Sequence, residues 1–280
     1  MIPLTKDEIS EAVLDLPALP HIVMELFRAL EKEDVDANLL SQKISYDQAL
    51  AAKVLGLANS SFYGMQGKVG SIAYAVAVLG FGCIRSLATA AGLAQIFSGR
   101  ASSELHAQLW THAIATALAA RSLAKCIGEN EDQAFIAGLL HNIGRLVLIT
   151  HYPVRYQDVL SWSSAHDAEL SLAEVAVLGV DHKLVGRAVL TRWKFPASIV
   201  ATLDTVAQGA PDLHGKAASV IVVADAIAHA LDLQSPPDNQ VPVIPQSQWD
   251  QLGLSEAILT EVFSSTEKSF EDVCAILRAP

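Results

Sequence analysis

Apolar residues recur along this chain at three- and four-residue spacing and almost never at every second position. That is the period of helices with one buried face, not of half-buried strands. Leu16-Pro17-Ala18-Leu19-Pro20 is a rigid segment, and Pro20 suits the first turn of a helix. Ile22, Leu26 and Leu30 then make one stripe on a helix over His21–Leu30. Asp36 is the expected N-cap of Leu39–Ile44, and Asp47 that of Ala49–Ala58, where Leu50, Val54 and Leu57 share a face. Phe62–Gly70 holds Gly64, Gly67 and Gly70 and predicts a turn. Ser71 is placed to cap Ile72–Leu79; Gly80-Phe81-Gly82 interrupts the pattern and Ile84–Phe97 resumes it. After a loop at Gly99–Ser103, Glu104–Ile127 predicts one long helix stopped by Gly128, and Asp132 is expected to cap a second, running to Ile149. Tyr152-Pro153 opens another, and shorter helices are expected over Ala168–Leu178, His182–Trp193, Ala197–Val206 and Ala217–Leu231. The prolines of Gln234–Pro245 mark a loop, followed by acidic helices over Ser255–Ser264 and Thr266–Leu277. The expected fold class is all-α, in two helical bundles: 1–100, then 101–232, with 233–280 as a Pro-rich loop and acidic C-terminal helices.

Composition agrees with this pattern. Hydrophobic residues make up 51% and charged residues 18% of the 280, which excludes a disordered chain. Aromatics are only 6%, so the apolar mass is Ala, Leu, Val and Ile, which favours packed helices. The mean hydropathy of +0.34 raises the membrane question. The longest runs without Asp, Glu, Lys or Arg, Val69–Ile84 and Leu105–Ala120, are each 16 residues. A spanning helix needs roughly 20, so no membrane segment is expected. Lys6, Asp7, Glu8 and Glu11 leave no apolar stretch for a secretory signal. The three cysteines, Cys83, Cys126 and Cys274, are odd in number and far apart. Together these features predict a cytoplasmic protein without disulfides.

The net charge of -11 disfavours nucleic acid and anionic lipid as partners. Its distribution is uneven: residues 1–40 carry -6, 41–130 carry +4, 131–230 carry -3 and 231–280 carry -6. The basic stretch is sparse, and the segment Ser86–Ala91 behind Arg85 lacks the polar and basic side chains of a recognition helix.

Four residues stand in unusual contexts. His112 follows Trp110-Thr111, His141 lies in Gly138-Leu139-Leu140-His141-Asn142-Ile143-Gly144, His182 lies in Asp181-His182-Lys183-Leu184-Val185-Gly186, and Asp225 sits in the apolar Val223-Ala224-Asp225-Ala226. They are spaced by 29, 41 and 43 residues. Imidazole and carboxylate suit borderline and hard cations, and a cation-bound water is a nucleophile near neutral pH.

With these residues the second half resembles the HD superfamily of metal-dependent phosphohydrolases. That resemblance makes His112 the isolated histidine, His141-Asn142 the His-Asp doublet, Asp225 the distant aspartate and His182 a further histidine of the HD-GYP branch. Leu16–Pro20, the run Ala49-Ala51-Lys53-Val54-Leu55 leading to Ala58-Asn59-Ser60, and Ala75–Gly80 look like the HDOD domain, as do Trp110-Thr111-His112, Gly138–His141 and Asp181–Gly186. The likeness spans roughly residues 11–230. It implies a regulatory, non-catalytic relative of HD-GYP phosphodiesterases.

The departures from the pattern point the same way. The doublet aspartate is Asn142, residues 202–210 lack a paired-histidine element, and no Gly-Tyr-Pro triplet occurs. Gln48 follows Asp47 where the HDOD pattern usually has Pro, at the expense of some turn rigidity. A neutral amide removes charge from a two-metal centre and leaves bound water less acidic. We therefore expect His112, His141, Asn142, His182 and Asp225 to converge in a relict site with no catalytic residue and no resident cofactor. A single divalent metal, if held, would use His112, His141 and Asp225; a cyclic dinucleotide or other small ligand is the other content. By the resemblance the chain is a stand-alone HDOD unit that signals through protein partners. The alternatives are a metal-dependent phosphohydrolase or phosphodiesterase and, less favoured, a nucleic-acid-binding regulator.

Overall fold

The computed structural model describes residues 3–28, 37–65, 67–98, 104–208, 215–233 and 241–278. It is all-α, with no strand among the described residues. The expected Asp36 cap, the loop Gly99–Ser103 and most of the Pro-rich segment lie outside them.

The first half runs α1 (Lys6–Asp15), α2 (His21–Arg28), α3 (Ala37–Tyr46), α4 (Gln48–Ala58), a 3-10 turn (Ser61–Tyr63), α5 (Ile72–Leu79) and α6 (Phe81–Ser98). Asp47 caps α4, its side chain accepting from the Leu50 N–H at 3.0 Å, and Ser71 caps α5 through the Tyr74 N–H at 3.2 Å. The helix α1 escaped the apolar pattern because its first turn is charged. A capping box holds it instead: Thr5 Oγ1 accepts from the Glu8 N–H at 3.2 Å and Glu8 Oε2 from the Thr5 N–H at 2.7 Å. The expected interruption at Gly80-Phe81-Gly82 shrinks to Gly80, at φ 82°, and α6 starts at Phe81. Gly82 serves close packing: a Cβ there would stand 2.4 Å from Asp132 Oδ2.

The second half runs α7 (Glu104–Ile127), α8 (Glu131–Leu140), α9 (Ile143–His151), α10 (Pro153–His166), α11 (Leu170–Leu178), α12 (His182–Arg192), α13 (Ala197–Gln208) and α14 (Lys216–Ala230). The helix expected from Asp132 to Ile149 is two helices, broken at His141-Asn142. Its cap is Asn130, which accepts from the Gln133 N–H at 2.9 Å; Asp132 instead accepts from Arg121 Nη1 at 2.8 Å. Taken as one stretch, Glu131–His151 is long and apolar enough to cross a membrane, but 78% of its 18-residue apolar window is buried inside the fold.

The C-terminal part adds α15 (Gln246–Leu252), which the sequence pattern missed, and α16 (Glu256–Arg278), one helix where two were expected. The serines at 264 and 265 do not break it. Ser265 Oγ instead shares a 2.6 Å hydrogen bond with Ser122 Oγ of α7. The central helix is α7, buried along most of its length and packed by α8, α14 and α16. One buried apolar cluster reaches from Leu4 to Leu277 and takes in residues of both halves. The N-terminal segment also ties into the second half: the Leu4 N–H donates to the Leu178 carbonyl at 2.7 Å, Tyr152 Oη to the Glu8 carbonyl at 2.7 Å, and Arg192 to the Val13 and Leu16 carbonyls.

Candidate functional site

Three helix approaches place the histidines and Asp225. Gly138 in α8 meets α7 so closely that a Cβ would lie 2.8 Å from Ala117 Cα, which brings the end of α8, with His141, beside His112. Gly144 in α9 meets the start of α12, where a Cβ would lie 1.9 Å from the His182 carbonyl oxygen and 2.4 Å from the Gly186 nitrogen. The third approach is that of α14, which packs along α7 and delivers Asp225.

These approaches gather ring nitrogens around one carboxylate oxygen. Asp225 Oδ1 lies 2.8 Å from His112 Nε2, 3.3 Å from His141 Nε2 and 3.5 Å from His229 Nδ1. His141 Nδ1 donates to the Gly138 carbonyl at 2.6 Å and His229 Nδ1 to the Asp225 carbonyl at 2.9 Å. A neutral imidazole with Nδ1–H engaged carries its lone pair on Nε2. His141 Nε2 is buried and makes no hydrogen bond of good geometry. Burial pushes the His112 pKa down to about 4, against the pull of Asp225. For Asp225, burial acts upward, but the hydrogen bond from His112 and the facing His141 and His229 rings outweigh it and hold the carboxylate well below its usual range. The pair is therefore a neutral histidine donating to an aspartate anion.

His182 belongs to a second cluster nearby. Glu174, fully buried on α11, accepts from His182 Nδ1 at 2.6 Å, the His182 N–H at 2.8 Å, Tyr156 Oη at 2.7 Å and Arg145 Nε at 3.0 Å. Burial would raise the Glu174 pKa, yet the facing His182 and Arg145 and these hydrogen bonds hold it far below its usual value. Burial, then the Arg145 charge, lower the pKa of His182. The cluster is a satisfied buried network joining α9, α10, α11 and α12.

Both clusters border one cavity of about 570 Å3, lined by His141, Asn142, His182, Asp225 and His229 and also by Val241, Pro242, Val243, Pro245 and Gln248. That volume suits one small molecule. Of the five residues singled out in the sequence, His141, Asn142, His182 and Asp225 line it; His112 lies behind Asp225, 2% exposed. Asn142 is 7% exposed, and its side chain makes no cap hydrogen bond to α9. Among the described residues, His112, Asp225 and His229 are the set whose ligand atoms lie within 4.8 Å of one another, so a three-residue metal site can be drawn there. The sequence reading missed His229, although it stands one turn after Asp225. It also missed Glu174, a lone acid eight residues before His182 in an apolar run.

Comparison with known proteins matches the HDOD domain family over residues 16–208. A protein of Treponema pallidum (strain Nichols), described as uncharacterized, is 27% identical over 268 residues. They amount to 94% of this chain but 51% of that protein, so the chain spans about half the length of this curated relative. A crystal structure from Shewanella amazonensis SB2B, described as a candidate phosphohydrolase, has a TM-score of 0.76 at 28% identity, covering 96% of this chain and 98% of that one. An HDOD domain protein of unknown function from Geobacter sulfurreducens has a TM-score of 0.75 at 22% identity, with 96% of each chain covered, and shares the fold.

Proposed function

The chain belongs to the HDOD family, and from that premise we propose that it is a non-catalytic regulatory protein of the cytoplasm. It acts through contacts with protein partners, and its HD-type cavity is kept as a place for a small ligand. In this reading residues 1–100 form the N-terminal HDOD bundle, 101–232 the HD-like bundle and 233–280 the closing segment.

The observation that carries this reading is Asn142. It lines the cavity beside His141, where the resemblance to HD phosphohydrolases calls for a carboxylate. An amide cannot neutralise a second cation or take up a proton, so the step from ligand binding to hydrolysis lacks its charge. His182, the further HD-GYP-like histidine, is committed through Nδ1 to Glu174. The donor set fits one divalent ion, because ligand atoms of His112, Asp225 and His229 lie within 4.8 Å of one another and the His141 Nε2 has no hydrogen-bond partner. When bound, such an ion would polarise a coordinated water or ligand oxygen. The chain's own residues bind and orient: Gly138 and Asp225 carbonyls fix the tautomers of His141 and His229, and Glu174 fixes His182.

A second reading, metal-dependent phosphodiester hydrolysis, draws support from the same His112–Asp225–His229 group. One assay separates the two. The full chain is incubated with bis(p-nitrophenyl) phosphate and, in turn, Mg2+, Mn2+ and Zn2+. The expected result is no turnover above the metal-only control, for the chain and for its Asp225→Asn variant alike. Turnover by the chain that Asp225→Asn abolishes would overturn the regulatory reading.

A further inference from the structure

We propose that the cavity binds a primary aliphatic amine, with its ammonium group on Asp225 and His141 and its hydrocarbon part along Leu190, Val200, Leu203, Ile221 and Val222. This rests on the reading of the cavity as a ligand site, and the two fail separately. Turnover of a phosphodiester would sink that reading; an inert chain indifferent to amines would sink only this one.

Charge is the first ground. The charged side chains that line the cavity mostly balance within its wall. Arg145 is held by Glu174 at 3.0 Å and Arg187 by Asp204 at 3.4 Å, and the exposed Glu169 and half-buried Lys183 offset one another in sign. Asp225 is left over. The nitrogens against it are those of His112, His141 and His229, and no lysine or arginine pairs with it among the described residues. It is also the most exposed member of the cluster, at 24% against 2% for His112 and 6% for His141.

Hydrogen bonding is the second ground. Among the described residues, the buried polar atoms of the wall that lack a hydrogen-bond partner are His141 Nε2 and Gln248 Oε1, both acceptors. The Gly138 carbonyl takes the His141 Nδ1 proton, which leaves a lone pair on Nε2, 3.3 Å from the Asp225 carboxylate. Two acceptors side by side in a buried site call for donors from the ligand. An ammonium supplies three N–H donors and the charge that Asp225 lacks. A carboxylate or a fully ionised phosphate supplies neither.

The apolar wall names the rest of the ligand. Its side chains are aliphatic, and no aromatic ring is among the described residues that line the cavity. A nucleobase would find no stacking face there, and a quaternary ammonium no aromatic cage. A primary amine on a hydrocarbon chain needs neither.

The test uses the full chain kept in chelator, so that no metal competes for Asp225, and titrates it calorimetrically with n-hexylamine. Hexanol, hexanoate and hexyltrimethylammonium are titrated alongside as controls. The expected result is one hexylammonium per chain, bound at least about tenfold more tightly than each control. Asp225→Asn is expected to weaken hexylammonium binding at least about tenfold. Should Asp225→Asn fail to fold, 15N histidine spectra of the unmodified chain decide, since an ammonium on Nε2 shifts the His141 ring nitrogens and hexanoate does not. The proposal is overturned by no hexylammonium binding, by any control binding as tightly, by full affinity in a folded Asp225→Asn chain, or by His141 resonances that ignore the amine.

Discussion

A single hydrogen atom decides whether α9 and α12 can meet. At Gly144 any Cβ would overlap the His182 carbonyl at 1.9 Å, and both partners are backbone in packed helices, so neither yields. Gly144→Ala is expected to cost about 3 kcal/mol, read as a lower urea midpoint. Gly64→Ala, in a left-handed turn with open space around it, should cost only about 1 kcal/mol. An equal loss at the two sites would contradict the close-approach reading. Glu174 is a second residue whose neighbours set its cost. Glu174→Gln leaves Arg145 and His182 facing a neutral amide in a dry site, for an expected loss of about 3–5 kcal/mol. Far smaller destabilisation would show that water reaches the cluster. His112, His141 and Asp225 were legible in the sequence, because a polar side chain inside a long apolar helix pattern needs a partner. Their partners were harder to see. Glu174 and His229 are equally polar, but their roles depend on which helix lies opposite, and periodicity does not carry that information.

At the scale of elements, boundaries written in local chemistry were legible and those written by packing were not. Asp47 and Ser71 cap α4 and α5 through their own side chains, and the sequence signals them. Asp132 has the same chemistry, but Arg121 across the helix pair claims it, so Asn130 caps α8. The break between α8 and α9 has no glycine or proline in it. It falls at His141-Asn142, where the chain turns to present both to the cavity. The continuous α16 is a similar case, since its serines look like a stop until Ser122 of α7 is seen to meet Ser265. This helix is a core element: Leu277, near its end, is fully buried in the main apolar cluster. Leu277→Ala should therefore cost about 3 kcal/mol in a denaturant titration. Leu14→Ala, on a side chain 66% exposed, should cost under about 0.5 kcal/mol. A Leu277→Ala chain of unchanged stability would mean that α16 is a detachable tail.

For the whole molecule, the buried histidines make stability depend on pH in one direction. The pKa of His112 falls to about 4 in the fold, and that of His182 is also lowered. Below about pH 6.5 the unfolded chain takes up protons that the folded chain refuses. Their contribution is complete above that pH and is lost as the pH falls. Glu174 and Asp225, held below their ordinary values, add a further loss as the pH drops through the usual carboxylate range. The melting temperature should hold near pH 7–8 and decline from about pH 6.5. Between pH 6.5 and 5 the loss should reach about 2 kcal/mol per histidine at most. Melting that is flat from pH 7 to 5 would contradict two histidines held neutral. The all-α class was plain from the hydrophobic period alone, whereas the order in which helices enclose the cavity was not, because one apolar stripe serves any neighbour. The family match stops at residue 208. Asp225, His229 and the whole of α15 and α16 come after it, and α16 packs against α4, α6 and α7. A fragment cut at that border would keep His112 and His141 but lose their acid, and it would open an oily trench down the middle of the molecule. The unit that can be transplanted, shuffled or fused to another protein with its cavity whole is therefore larger than the recognisable domain, and its last indispensable piece is the C-terminal helix.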